Sequence, residues 1–246
     1  MDKEILELKQ KFNDIKKLGY VKSVRSGVTG IGATFEYLLG KQEENFELPD
    51  FKGIEMKTKR GYSNGNVTLF SAVPDGENFF ETKRLKEEYG YPDEVLKNYK
   101  VLNTCVSAKE KIKVGINYQF KLEVDRISEN VFLCIYDNND RLLEKKVYWT
   151  FETLQEKLRR KMQVLALVSA WPTKRSGIEY YKYYKIEFYV LSSFSNFIKL
   201  IEKGIVKINF KIGIFRSGKR LGEMHDHGTG FTIKLSDISE LYDRYR

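Results

Sequence analysis

The chain has 246 residues, 31% of them charged, with 43 Lys and Arg against 34 Asp and Glu, a formal charge of +9. Hydrophobic residues make up 41%, including 16 Tyr and 16 Phe, which suits a sizeable core and excludes a disordered basic tail. No run reaches the roughly 18 apolar residues of a membrane span, the start 1–7 mixes acids and bases unlike a signal peptide, and two His with two Cys exclude a zinc finger.

Ile5, Leu8, Phe12 and Ile15 predict a helix over 2–18, with Asp2 as N-cap and Gly19 just past its end. A second helix is expected over 30–39, opened by Thr29, closed by Gly40, with Ile31, Phe35 and Leu38 on its apolar face. Short β-rich segments at 53–58 and 67–73 read as strands. From Ile112 to Val124 every even position is apolar, so this stretch reads as one strand. Val131 to Tyr136, an Asn138-Asn139-Asp140 turn and a strand ending near Trp149 extend it into an antiparallel meander. A helix over 151–161, a buried run at 164–170 and a strand over 178–191 follow, then a short helix from Phe194 to Ile201 that stops at Gly204. The last element is a hairpin with arms 208–214 and 231–235 and a long polar tip, 216–230. The fold class expected is a mixed α/β protein. Cys105 and Cys134 read as buried thiols of a reducing cytoplasm, and the positive excess points to a polyanionic partner.

The stretch Pro49-Asp50-Phe51-Lys52-Gly53-Ile54-Glu55-Met56-Lys57-Thr58 holds the densest chemistry. Alternation along a strand turns Ile54 and Met56 to the core and puts Glu55 and Lys57 together on the other face, with Asp50 at the turn just before. Carboxylates of this kind hold a hard divalent ion such as Mg²⁺, and a nearby lysine orients water or stabilises developing charge. The same pattern also occurs on plain solvated strands. Glu36, on the second helix, falls away from that helix's apolar face.

Thr29-Gly-Ile-Gly-Ala-Thr-Phe-Glu-Tyr-Leu-Leu-Gly40, followed by Pro49-Asp50 and Gly53-Ile-Glu-Met-Lys57, resembles the active-site region of MutH-like nucleases, and within them the MvaI/BcnI family of type II restriction endonucleases. The resemblance covers 27–60 and the His-containing loop near the C-terminus. It implies a MutH-like restriction-endonuclease core, with a catalytic lobe (mainly 1–110) and a DNA-recognition lobe (mainly 111–246, which also completes the core) around a cleft. Asp50 and Glu55 become metal-binding carboxylates, Lys57 the catalytic lysine, and Glu36 a supporting acid that holds a water or orients Lys57. MutH carries a basic residue where this chain has Val28, so a cation needed there must come from elsewhere. The resemblance also implies a Mg²⁺-dependent monomer of a prokaryotic cytoplasm. It would cut double-stranded DNA at a CC-W/S-GG site, here taken as CCWGG-like, and leave 5′-phosphate ends. A cognate DNA methyltransferase is its implied genetic partner. A MutH-type strand-nicking enzyme and a non-catalytic DNA-binding protein are the alternatives.

Between 203 and 220 stand six basic residues and no acid. Alternation puts Lys207 and Lys211 on one strand face, where they would neutralise phosphates, and Arg216, Lys219 and Arg220 open the hairpin tip. The tip also carries both histidines, in Glu223-Met-His225-Asp226-His227. A two-histidine metal site lacks ligands. Arg and His suit guanine and Asp suits cytosine, so base reading by Arg216, Arg220, His225, Asp226 and His227 is expected. Tyr180, Tyr181, Tyr183 and Tyr184 among lysines suggest a stacking platform or, more simply, an amphipathic strand.

Overall fold

The computed structural model describes residues 1–40, 49–61, 63–75, 81–226 and 228–246. In chain order these form α1 (Asp2–Lys17), β1 (Tyr20–Lys22), α2 (Gly30–Leu38), β2 (Ile54–Arg60), β3 (Asn66–Ser71), α3 (Glu81–Tyr89), β4 (Tyr91–Pro92), β5 (Lys100–Val106), β6 (Ile112–Val114) and β7 (Tyr118–Asp125). There follow β8 (Asn130–Asp137), β9 (Leu142–Thr150), α4 (Phe151–Lys161), β10 (Val164–Arg175), β11 (Ile178–Leu191), α5 (Phe194–Glu202), β12 (Lys207–Ile214), β13 (Met224–Asp226), β14 (Gly230–Lys234), α6 (Ile238–Leu241) and β15 (Tyr242–Arg244).

Contacts group the chain into two units, Met1–Gly65 with Arg159–Ser192 and Tyr242–Arg246, and Asn66–Leu158 with Ser193–Leu241. This differs from the division expected at 110/111. β3 and β5 pair with β14 and β12 of the second unit, while β10 and β11 carry the sheet of the first.

The first unit is a sheet in the order β1-β11-β10-β2, with β15 also on β11. Its one parallel pair is β2 with β10, set Glu55 opposite Leu165 and Lys57 opposite Leu167. The predicted apolar stripe of α1 is buried as Ile5, Leu8, Phe12 and Ile15. Its first turn is acidic and its last basic, as the helix dipole favours. The structure puts Met1, not Asp2, at the N-cap. Thr29 takes the N-cap of α2 without a side-chain cap bond. Phe35 of α2 is the centre of this core: its ring lies 6.3 Å from Phe12 and 5.1 Å from Tyr183, among Ile31, Ile54, Met56 and Ala166.

In the second unit one sheet runs β3-β14-β12-β5-β4, with β13 on β12, and another is the meander β6-β7-β8-β9. The single strand expected over 112–124 is broken. Gly115 takes φ 58, the chain turns back so that β6 pairs with β7, and Ile116 is 87% exposed at the turn. The alternation persists across the turn, and periodicity alone does not register the reversal. The core is aromatic: Phe231 stacks on Phe70 at 5.0 Å and meets Trp149 edge-on at 5.8 Å, and the Trp149 indole N–H donates to the Ala72 carbonyl at 3.1 Å. Helix α3, without a sequence expectation, is tied down by Arg84, whose Nη2 donates to Glu144 Oε1 at 2.5 Å.

Phe35 has no exposed surface and links α2 to both α1 and β11. Phe35→Ala is expected to cost about 3–5 kcal/mol of stability, read as a lower midpoint in chemical denaturation.

Candidate active site

The residues of the central motif are gathered by a tight turn. Lys52 and Gly53 have φ of 45° and 90°, and Phe51 and Ile54 exchange backbone hydrogen bonds of 2.9 and 2.8 Å. This two-residue connection with both φ positive is of the I′ kind, and glycine suits its second position. It folds Asp50 back along β2, where Asp50 Oδ2 accepts from the Met56 N–H at 2.9 Å. Lys52, a non-glycine residue at positive φ, is held to α1 through its ammonium on Glu7 at 2.7 Å.

Ile54 and Met56 face the helices, as alternation predicts. Glu55 and Lys57 share the opposite face, but Glu55 is not solvated there: it is 1% exposed. Lys57 Nζ donates to Glu55 Oε1 at 2.5 Å. A second cation, Lys161 at the end of α4, stands 3.6 Å from the same oxygen. Burial is the main force on the Glu55 carboxyl and pushes it above the usual carboxylate range; Lys57 opposes this, Asp50 adds to it, and Lys161 opposes it. Glu55 Oε2 is buried without a hydrogen-bond partner.

That orphaned oxygen tests the expected metal. A buried carboxylate oxygen lacking a proton donor is a poor end point for folding and a good ligand for a divalent cation, and the 52–53 turn folds Asp50 back along the same strand. The pair fits a hard cation that completes its shell with water and substrate oxygen. Among the described residues no group of three or more His, Cys, Asp or Glu gathers as a metal site, so the fit rests on these two side chains. The Glu36 carboxylate is half-buried beside Gly32, where α2 approaches Thr58 of β2, and its charge reaches Tyr183. Lys161 carried no sequence signal: α4 has a plain amphipathic pattern, and only the fold brings its last residue to Glu55.

The basic residues of the second unit divide into distinct roles. Along β12, Ile208, Phe210 and Ile212 are buried while Lys207 and Lys211 lie on the other face, where both act on the Cys105 thiol. Lys219 is exposed. Arg216 is committed within the unit, its Nη2 2.7 Å from Asp93 Oδ2. The Asp93 carboxylate is 1% exposed and also accepts from the Leu96 and Val95 amides at 2.9 and 3.0 Å. Phe215, not singled out by the sequence, orders the tip: His225 stacks on it at 4.3 Å and 7°, and the Arg220 guanidinium sits 4.1 Å from its ring centre. His225 and Arg216 line one concavity of about 390 Å³ with Asp93, Asn103 and Phe215. Asp226 Oδ1 caps the Gly228 N–H at 2.7 Å. His227 lies outside the described residues. Both cysteines are free thiols; Cys134 is buried, whereas Cys105 is only partly so.

Arg216, then the Leu96 amide, hold the Asp93 carboxyl down to about 2 from an ordinary 3.8. A depressed carboxylate stabilises the fold fully above its unfolded pKa, and that contribution vanishes as pH falls through the folded value. Arg216→Met should therefore melt lower than the parent near neutral pH, and the gap should close between about pH 4 and pH 2, as followed by circular dichroism.

A family model described as the MvaI/BcnI restriction endonuclease family matches residues 9–242. Among solved structures, restriction endonuclease MvaI in complex with its cognate DNA substrate is 33% identical, with 100% of this chain and 98% of that chain covered and a TM-score of 0.91. MvaI in the absence of DNA has the same identity and coverage with a TM-score of 0.63. No curated protein sequence matches the chain. Taken with the Asp50, Glu55 and Lys57 cluster, the match over nearly the whole length settles the identification: the chain belongs to the MvaI/BcnI restriction endonuclease family.

Proposed function

We propose that this type II restriction endonuclease makes Mg²⁺-dependent double-strand breaks in DNA at a CCWGG-like site. It would act as a monomer in a prokaryotic cytoplasm whose genome a cognate methyltransferase protects. The observation that carries the reading is Glu55, buried with Oε1 held by Lys57, Oε2 without a hydrogen-bond partner and the Asp50 charge acting on the same carboxyl.

Asp50 and Glu55 would hold the ion, which when bound neutralises the scissile phosphate and lowers the pKa of water. The chain's own residues do the rest. The Met56 amide and the 52–53 turn fix the Asp50 carboxylate, so it need not reorganise as charge develops. Lys57, half-exposed and anchored on Glu55, is placed to orient the attacking water and to face the charge growing on the phosphoryl oxygens. In-line attack at phosphorus forms the new P–O bond, breaks the bond to O3′, and leaves a 5′-phosphate and a 3′-hydroxyl. Glu36 supports the site from α2. In the second unit Lys207, Lys211 and Lys219 contact phosphates, while Arg220, His225, Asp226 and His227 read bases. Arg216 reads only through the rim it builds with Asp93.

Digestion of a sequenced plasmid with Mg²⁺, with an EDTA control and mapping of the ends, tests this reading. Discrete fragments ending at CCWGG support it. Nicked circles that never linearise would favour the MutH-type enzyme, and salt-sensitive binding without cutting would favour a non-catalytic binder. Asp50→Ala, Glu55→Ala and Lys57→Ala are each expected to abolish cutting while specific binding persists; wild-type cleavage by all of them would overturn the site. His225→Ala should lose roughly 1–3 kcal/mol of discrimination at the base pair it contacts, measured by competition between cognate and single-substituted duplexes.

A further inference from the structure

The sheet face that carries Glu55 and Lys57 continues, across the next three strands, into a basic patch that the reaction does not use. Register fixes this. Trp171 of β10, Lys182 of β11 and Tyr20 of β1 are aligned across the sheet, as are Thr173, Tyr180 and Lys22. Alternation from Lys57, opposite Leu167, puts these rows on the same side. Their neighbours Tyr181 and Tyr183 point the other way, into the core with the helices.

Lys22, Arg175 and Lys182 are exposed cations here. The acids of β11 are already committed: Glu187 to Lys185 and Arg244 at 2.9 and 3.0 Å, and Glu179 to Arg60 on the opposite face at 3.0 Å. A merely solvated sheet face mixes signs, whereas this end is cationic only. Aromatic rings hold the charge in place. The Arg175 guanidinium lies 5.1 Å from the Tyr180 ring centre and 5.7 Å from that of Tyr20. Trp171 and Tyr184 stack on each other at 4.8 Å and 10°. Each of these rings is engaged on one face by a guanidinium or by a second ring. The patch offers charge at fixed spacing, and that suits a phosphodiester backbone.

We propose that this end of the catalytic sheet binds the backbone of duplex DNA flanking the target, an extension that rests on the nuclease reading above. Strand spacing and rise put the patch about 16–27 Å from Lys57, equal to roughly five to eight base pairs of duplex at 3.4 Å each. Contacts there would add affinity without sequence preference and would be missing from a short substrate.

The test is metal-free binding of the full chain to cognate duplexes, followed by fluorescence anisotropy across a salt series. One duplex carries about three base pairs on each side of the target and the other about fifteen, bracketing the span estimated above. Wild type should bind the long duplex tighter and with a steeper salt dependence. In Lys22→Ala/Arg175→Ala/Lys182→Ala the slope of log Kd against log salt on the long duplex should fall by about 2.7, three lost phosphate contacts at 0.9 each, with the short duplex unaffected. Lys22→Gln/Lys182→Gln, which keeps the Arg175 packing, should lose about 1.8. An unchanged slope on the long duplex, or an equal loss on the short one, overturns the proposal. Continued plasmid cutting at the same site by these variants would then show that the nuclease reading stands. Absence of any duplex binding by wild type would overturn both.

Discussion

A carboxylate buried in a sheet is costly unless cations neutralise it, and breaking such an arrangement from one side leaves an uncompensated charge. Glu55 is held under that constraint by Lys57 from its own strand and Lys161 from the last turn of α4. Both ammonium groups face Oε1, so Oε2, though buried, is the oxygen without a hydrogen-bond partner. The neighbouring structure serves this arrangement. Parallel pairing with β10 shields Glu55 with Leu165, the apolar positions on either side of it anchor β2 under α2, and the turn at 52–53 returns Asp50 alongside. The group is thereby kept as a poised acceptor, at a stability cost that functional sites commonly carry.

Much of the first unit was legible because its signals are periodic. The stripe of α1, the alternation of 54–57 and the two-faced strand at 178–191 each follow from burial of one face, and the structure returns them almost residue for residue. Elements that depend on distant partners were not legible. Lys161 meets Glu55 only through a parallel pairing whose strands are about 110 positions apart. Helix α3 is too polar for its pattern to stand out, and its anchor is Glu144, far along the chain. The stretch 112–124 failed for the opposite reason. Its alternation is real, but Gly115 reverses the chain without disturbing the pattern.

Counting basic residues likewise located the hairpin tip without sorting its members. Arg216 is bound to the buried Asp93 and braces the wall of a concavity, while Arg220 and His225 share the Phe215 ring and Arg220 also holds the exposed Glu223 through Nε at 2.6 Å. A guanidinium engaged by a carboxylate has fewer donors left for a base edge, and an imidazole stacked on a ring keeps its edge nitrogens outward. The family resemblance supplied the chemistry. What separates these cations is how deeply their partners are buried, Asp93 at 1% exposure against the exposed Glu223, and that became visible only in the structure.

The pairing of β2 with β10 and of β11 with β15 also sets when the Glu55 site can form during synthesis. When the first sixty residues have left the ribosome, Asp50, Glu55 and Lys57 are outside it, yet neither the strand that buries Glu55 nor the helix end that brings Lys161 has emerged. Strand β15, which closes on β11, emerges later still. An aborted or proteolysed fragment therefore carries the reactive side chains without the sheet that assembles them. The order of the elements along the chain thus delays assembly of the Glu55 site until β10 and β11 are both in place.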